Sequence, residues 1–187
     1  MRLRLLLAAV CTLAALAGLS TIVSAKRGEP QTISVQLRDA GGALAGTVKI
    51  TGSTPQGAVD VRVNARGLTA GFHGFHVHAV GKCEGPSFMS AEGHLKDTGE
   101  NHPAHSGDLS SLLVKPNGTA TLRVTTGGFT LDDLRDADGS AVMVHAGPDN
   151  FANIPPRYAP AGPDQATLDT GDSGARVACG VIGPGAR

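Results

Sequence analysis

Histidine is the residue type in this chain best suited to chemistry. His73, His76, His78, His94, His102 and His105 fall close together, and His145 sits in the apolar run AVMVHAG. Imidazole is the commonest metal ligand among side chains. In GFHGFHVHAV, residues 71–80, Phe75 and Val77 alternate with His76 and His78. A strand turns successive side chains to opposite faces. Phe75 and Val77 are therefore expected to face a core, and His76 and His78 to project together from the other side. Such a pair is half of a metal site; taken alone, it also fits a histidine pair beside a core strand. His73 shares the parity of Phe75 and Val77 and reads as a hydrogen-bonded structural histidine.

The elements that must position these rings read as all-β. Glycine is abundant (26 residues), aromatic residues make up 3%, and β-branched residues recur in short alternating runs. Eight strands are predicted, at 31–39, 44–51, 57–66, 72–80, 109–115, 118–126, 140–145 and 175–182. LLVKPNGTATLRV reads as a hairpin turning at Pro116, Asn117 and Gly118. TLDDLRDAD fits a turn of helix capped by Thr130. Two connections, 81–108 and 146–174, are long for one domain. Loops of that length are usually functional or disordered, and the histidines flanking each favour function.

Residues 1–25 read as a secretory signal peptide: Arg2 and Arg4, an apolar stretch, and a small-residue site VSA before Lys26. The rival reading is a retained membrane anchor. The domain is then 26–187, exported to a periplasmic, cell-envelope or extracellular space. No second apolar span approaches the length of a membrane helix. Without the signal, 14 basic residues face 16 acidic ones, a balance that does not point to nucleic acid. Cys11 leaves with the signal, so Cys83 and Cys179 remain. An even count in an exported protein reads as one disulfide, against an alternative of two buried thiols.

HGFHVH, GKCEG, GHLKD, HPAHSGDL, MVHAGPDN and TGDSGARVACGVIG resemble, in order, the signature segments of copper/zinc superoxide dismutases. The resemblance runs from about Gln31 to Gly183. It implies a flattened eight-stranded Greek-key barrel with two long functional loops. It also implies dismutation of superoxide to dioxygen and hydrogen peroxide. Carried over by motif, His76, His78, His94 and His145 would bind copper. His94, His102, His105 and Asp108 would bind zinc, with His94 shared as an imidazolate. Only Pro103 and Ala104 separate His102 from His105, where most relatives have a longer segment. Asp149 resembles the carboxylate that hydrogen-bonds a copper and a zinc ligand together. Arg176 resembles the arginine beside the open copper position, and Thr170 a residue that narrows the channel there. The family includes homodimers and monomers. Two other readings stay open: an exported copper-binding or copper-delivery protein on the same fold, and a dismutase with copper and no zinc.

Overall fold

The structure, a computed structural model, describes residues 30–52, 57–97 and 99–184. The expected signal peptide lies outside the described residues. In β1 (Gln31–Asp39), Ile33, Val35 and Leu37 are buried while Thr32, Ser34 and Gln36 face solvent. The same alternation runs through β2 (Leu44–Gly52) and β3 (Val59–Ala65). Period two with one apolar face is what places a strand over a core. Further strands are β4 (Gly71–His73), β5 (Phe75–His78), β6 (Leu112–Val114), β7 (Ala120–Thr126), β8 (Ser140–His145) and β9 (Arg176–Ile182).

Seven strands form one antiparallel sheet in the order β5-β8-β9-β1-β2-β3-β7, and β4 pairs with β6. The hairpin at Lys115–Thr119 joins β6 to β7, with Lys115 N–H donating to Thr119 O at 2.8 Å. Because β4 runs on into β5 through Gly74, the sheet curls back on itself as the expected eight-stranded barrel. Leu37, Val48, Ile50, Phe75, Leu112, Leu131 and Leu134 fill it, all buried to 0% exposure. Each such side chain contributes about 1.5–3 kcal/mol when fully buried.

Three local expectations are corrected. The strand expected over 72–80 is two pieces, because Gly74 N–H bonds Gly147 O and interrupts the ladder. The strand expected over 109–115 is only Leu112–Val114, since Asp108 turns toward the histidines. The second long connection holds a helix, α1 (Gln165–Thr170), capped by Asp164, whose carboxylate accepts from Thr167 N–H. At the predicted turn of helix, Thr130 and Asp133 bond reciprocally around a single 3₁₀ turn, Asp133–Arg135.

The first long loop is stitched along the free edge of β5. Ala79 N–H donates to Gly93 O, Leu95 N–H to Val77 O, and Val77 N–H to Gly107 O, at 2.8–3.0 Å. Gly107 is needed there, since a Cβ would lie 2.3 Å from Val77 O. A disulfide between Cys83 and Cys179 ties the start of this loop to β9, across 96 residues of sequence. Cys179, Met143, Ala141, Phe88 and Ala91 form a small apolar cluster around it.

Replacing both cysteines by serine removes a cross-link that closes a long loop. Unfolding free energy in denaturant is expected to fall by about 2–5 kcal/mol, and protease cleavage between 81 and 108 to become faster. Equal stability of the two forms would show that the bond is not a structural tie.

Candidate metal centre

Six histidines converge on one buried point. His76 and His78 come from β5, His145 from the end of β8, and His94, His102 and His105 from the stitched loop. Backbone bridges set His94 opposite His78 and Asp108 opposite His76. His94 is central: its ring centroid is 4.0 Å from that of His76, 5.0 Å from His78, 5.5 Å from His102, 5.3 Å from His105 and 6.0 Å from His145.

In four of these rings one nitrogen is committed to a group that can only accept. His76 Nε2–H donates to Asp149 Oδ2 at 2.7 Å, and His102 Nε2–H to Asp149 Oδ1 at 2.7 Å. His78 Nδ1–H donates to Glu92 O at 2.8 Å, and His145 Nδ1–H to Gly174 O at 3.0 Å. In His76, His78 and His145 the bond fixes the tautomer and turns the remaining nitrogen inward as a lone pair, while His102 Nδ1 lies 2.9 Å from Asp108 Oδ2. His78 Nε2 and His145 Nε2 meet at 3.3 Å. His76 Nδ1 and His94 Nε2 are buried with no hydrogen-bond partner among the described residues. An unpaired buried nitrogen is costly, and a metal ion would satisfy all four at once. His76, His78, His94 and His145 form a group whose ligand atoms lie within 4.8 Å of one another.

A second group of the same size joins His76, His94, His102 and Asp108. Asp108 Oδ1 is 2.8 Å from His94 Nδ1, and its Oδ2 is 2.9 Å from His102 Nδ1. His105 stands slightly apart. Its Nδ1 is 3.3 Å from both His94 Nδ1 and Asp108 Oδ2, while its N–H donates to Asp108 Oδ2 at 3.0 Å. Three Nδ1 atoms and one carboxylate thus surround one point, a donor set suited to zinc. The all-imidazole set beside it suits copper.

Burial sets the charge of the first group. It lowers the pKa of His76 to about 4, with the carboxylate of Asp149 only partly offsetting it. It lowers His78 to about 2 and His145 to about 3, with the neighbouring histidines adding to the effect. These rings are neutral near pH 7, as ligands must be. His102 differs. Burial works against its charged form but is outweighed by Asp108 and Asp149, which raise its pKa to about 9. In Asp108 and Asp149, burial favours the neutral acid but loses to the histidine hydrogen bonds, so both lie below the usual carboxylate range.

The remaining expected residues fall around this point. His73 is buried, with Nδ1 2.6 Å from His145 O and Nε2 2.9 Å from Thr69 O, so it braces the backbone of β8. Thr170 and Arg176 line a cavity of about 620 Å³ in front of His78, His94 and His145. Arg176 Nη1 donates to Phe88 O at 2.6 Å and Nη2 to Glu92 O at 2.5 Å. The carbonyl of Glu92 therefore receives both a copper-side histidine and the arginine.

Sequence reasoning did not find Gly171 or Phe151. Gly171 closes α1 with φ 58°, and a Cβ there would lie 2.2 Å from Asp149 Oδ1 and 2.5 Å from His102 Nε2. The Phe151 ring stacks on His102 at 6.2 Å. The signal for Gly171 was present: an Asp cap at 164 and a glycine after a six-residue turn are helix punctuation.

The family model described as Copper/zinc superoxide dismutase (SODC) matches residues 44–182. The chain is 44% identical over 170 residues to a protein of Mycolicibacterium paratuberculosis named Superoxide dismutase [Cu-Zn], covering 82% of this chain and 75% of that protein. A Mycobacterium tuberculosis protein of the same name is 44% identical over 171 residues, covering 83% and 71%. Among solved structures, a SOD-like protein from Bacillus subtilis aligns at TM-score 0.63 with 30% identity, covering 80% of this chain and 97% of that one. The Cu/Zn superoxide dismutase from Brucella abortus aligns at 0.62 with 29% identity, covering 81% and 99%.

Two outcomes follow from this geometry. A metal at His102 Nδ1 must compete with a proton held up to about pH 9, whereas His76, His78 and His145 are already neutral. Below pH 9, zinc affinity is expected to fall about tenfold per pH unit for one proton displaced. Dialysis from pH 7.5 to 5.5 should release zinc and leave copper; simultaneous loss of both would contradict the split. Gly171→Ala should push Asp149 off His102 and weaken zinc binding by about 10–100-fold, measured by chelator competition, with copper content retained.

Proposed function

The chain belongs to the copper/zinc superoxide dismutase family, and from that premise we propose how its own residues dismute superoxide to dioxygen and hydrogen peroxide. His76, His78, His94 and His145 hold copper; His94, His102, His105 and Asp108 hold zinc. When bound, copper supplies a one-electron couple, and zinc supplies a positive charge on the far side of His94.

One superoxide gives up an electron and leaves as dioxygen. A second gains that electron and two protons and leaves as hydrogen peroxide. Arg176 captures the anion: its guanidinium is fixed by two carbonyls at the wall of the cavity and presents a permanent charge. His78 and His145, locked through Glu92 O and Gly174 O, keep the histidine face toward that cavity open and rigid. His94 Nε2 faces the same cluster with no other partner among the described residues, so it can hold a proton and pass it to the product. Asp108 Oδ1, 2.8 Å from His94 Nδ1, keeps the ring in place while Nε2 exchanges that proton, and zinc held beside it would add a positive charge.

The observation that carries this reading is the coincidence of two locked imidazoles, His78 and His145, with a pinned arginine in one open cavity. A copper-binding or copper-delivery module needs the ligands alone and has no use for Arg176. The looser contacts of His105 favour the copper-only dismutase as the second reading. Residues 26–187 form the working domain, exported behind a signal at 1–25; the disulfide supports export. Every proposed ligand and Arg176 come from one chain, so a monomer serves the reaction as well as a homodimer does. Among the described residues, no helix is long and apolar enough to cross a membrane.

Metal analysis of the purified protein, together with a superoxide assay, tests the reading. About one copper and one zinc per chain are expected, with turnover; copper without turnover would support the binding module, and copper with turnover but negligible zinc the copper-only enzyme. His78→Ala should lose copper and activity while circular dichroism stays native. Arg176→Ala should keep copper but lower the second-order rate by about 10–100-fold, and Arg176→Lys should recover part of it. A full rate in copper-loaded Arg176→Ala would remove the arginine from the mechanism.

A further inference from the structure

The proposed copper ligands are buried, and copper must reach them. His76, His78, His94 and His145 are each at most 4% exposed. His78, His94 and His145 line the cavity of about 620 Å³, together with Arg176 and Met89. Arg176 favours an anion in that space and opposes a metal cation. A copper ion entering there needs a ligand in the wall to hold it against that charge.

Met89 is the soft donor in reach. Cys83 and Cys179 are joined as a disulfide and have no thiolate to offer. Met143 is fully buried in the apolar cluster beside them. Met89 is 64% exposed, so among the described residues it is the only thioether open to a metal.

The backbone imposes this exposure. Met89 opens a single 3₁₀ turn, Met89–Ala91, between Phe88 and Glu92. Phe88 takes φ 55° and Glu92 φ 58°, positive values that residues other than glycine adopt only at a cost. Phe88 and Ala91 are turned into the cluster around the disulfide, which leaves Met89 facing outward. The carbonyls on either side of the turn, Phe88 O and Glu92 O, are the two that hold Arg176. The thioether is thus displayed on the same rigid piece that pins the arginine and, through Glu92 O, orients His78.

Resting on the copper assignment of His76, His78, His94 and His145, we infer that Met89 is the entry ligand through which the site takes up Cu(I). Thioether sulfur is a soft donor that selects Cu(I). The ion binds the Met89 sulfur, gains His78 and His145, whose Nε2 atoms meet at 3.3 Å, and then releases the sulfur. The step is ligand exchange with no change of oxidation state: a Cu–S bond breaks as Cu–N bonds form. Met89 has no place in the finished copper set.

The test uses the protein isolated without copper, under anaerobic conditions. Cu(I) is offered as its bicinchoninate complex, and transfer is followed as loss of the chelator's colour; Cu(II) is offered in parallel as its glycinate. Wild type is compared with Met89→Leu, which keeps volume and apolarity and removes the sulfur. Cu(I) transfer to Met89→Leu should be about tenfold slower, the rate equivalent of about 1.4 kcal/mol for one weak ligand, while Cu(II) transfer and final copper content match wild type. Methyl-labelled methionine gives a second reading. Ag(I), a soft ion that does not change oxidation state, added to copper-loaded protein should shift the Met89 methyl resonance and leave that of Met143. Equal Cu(I) rates in the two proteins would overturn the inference, and so would an unmoved Met89 resonance. Equal slowing of Cu(I) and Cu(II) would overturn it too, since the side chain would then shape the opening without ligating. Turnover is measured separately on the loaded protein: copper taken up without dismutation would end the enzyme reading, and the transfer rates would still judge Met89.

Discussion

One carboxylate holds the centre together. Asp149 accepts from His76 on β5 through Oδ2 and from His102 on the first loop through Oδ1, both at 2.7 Å. It also accepts from Phe151 N–H at 2.7 Å, which turns its own loop around it. Three segments distant in sequence thus meet at a single side chain that is nearly fully buried. A buried carboxylate is tolerated only when its oxygens are satisfied by strong donors, and here each oxygen has at least one. The same bonds use Nε2 of both histidines, so Nδ1 is the atom that each presents to the centre. Metal selectivity is therefore prepared by a residue that need touch neither metal. The close approach of Gly171 to the Asp149–His102 bond extends that dependence to α1 and to the wall of the cavity.

The barrel supplies what loops alone cannot. A β5 strand buried on both faces places His76 and His78 to within the tolerance of a packed core, and the stitched loop takes its register from that strand. The disulfide works in the same direction on the other side. It joins the loop that carries Phe88 O and Glu92 O to β9, the strand that begins with Arg176. Arginine, carbonyl acceptors and the His78 lock therefore form one mechanical unit. Rigid placement of charge is the condition under which electrostatic guidance accelerates a reaction without reorganisation at the moment of encounter.

Much of this was legible in the sequence, and the boundary has a physical cause. Period-two patterning fixed the parity of His76 against Phe75, and the strand at 31–39 was readable to the residue, because one buried face leaves no freedom of register; the strand at 140–145, buried throughout, was readable as a short apolar run. The second loop was not readable in the same way. Its helix is six residues long, too short to display a helical hydrophobic period, and its order comes from contacts with His102 and Asp149. The acceptors Glu92 O and Gly174 O are backbone atoms, so no side-chain identity announces them.

The short step from His102 to His105 was the feature least favourable to a zinc site, and the structure shows how length can be replaced. A long loop converges its ligands by folding on itself. Here convergence is imposed from outside. His102 N–H donates to Leu168 O at 2.7 Å, anchoring the turn on α1, and Ala104 N–H donates to Asn101 O at 2.8 Å, closing it. Asp108 then reaches back to the His105 N–H while its two oxygens face His94 and His102. The carboxylate thus organises the turn as well as offering oxygens to the proposed site. The cost falls on His105, whose Nδ1 contacts are the longest of the set and whose Nε2 is buried without a hydrogen-bond partner among the described residues. A site built this way is strongest where His94, His102 and Asp108 meet and weakest at His105.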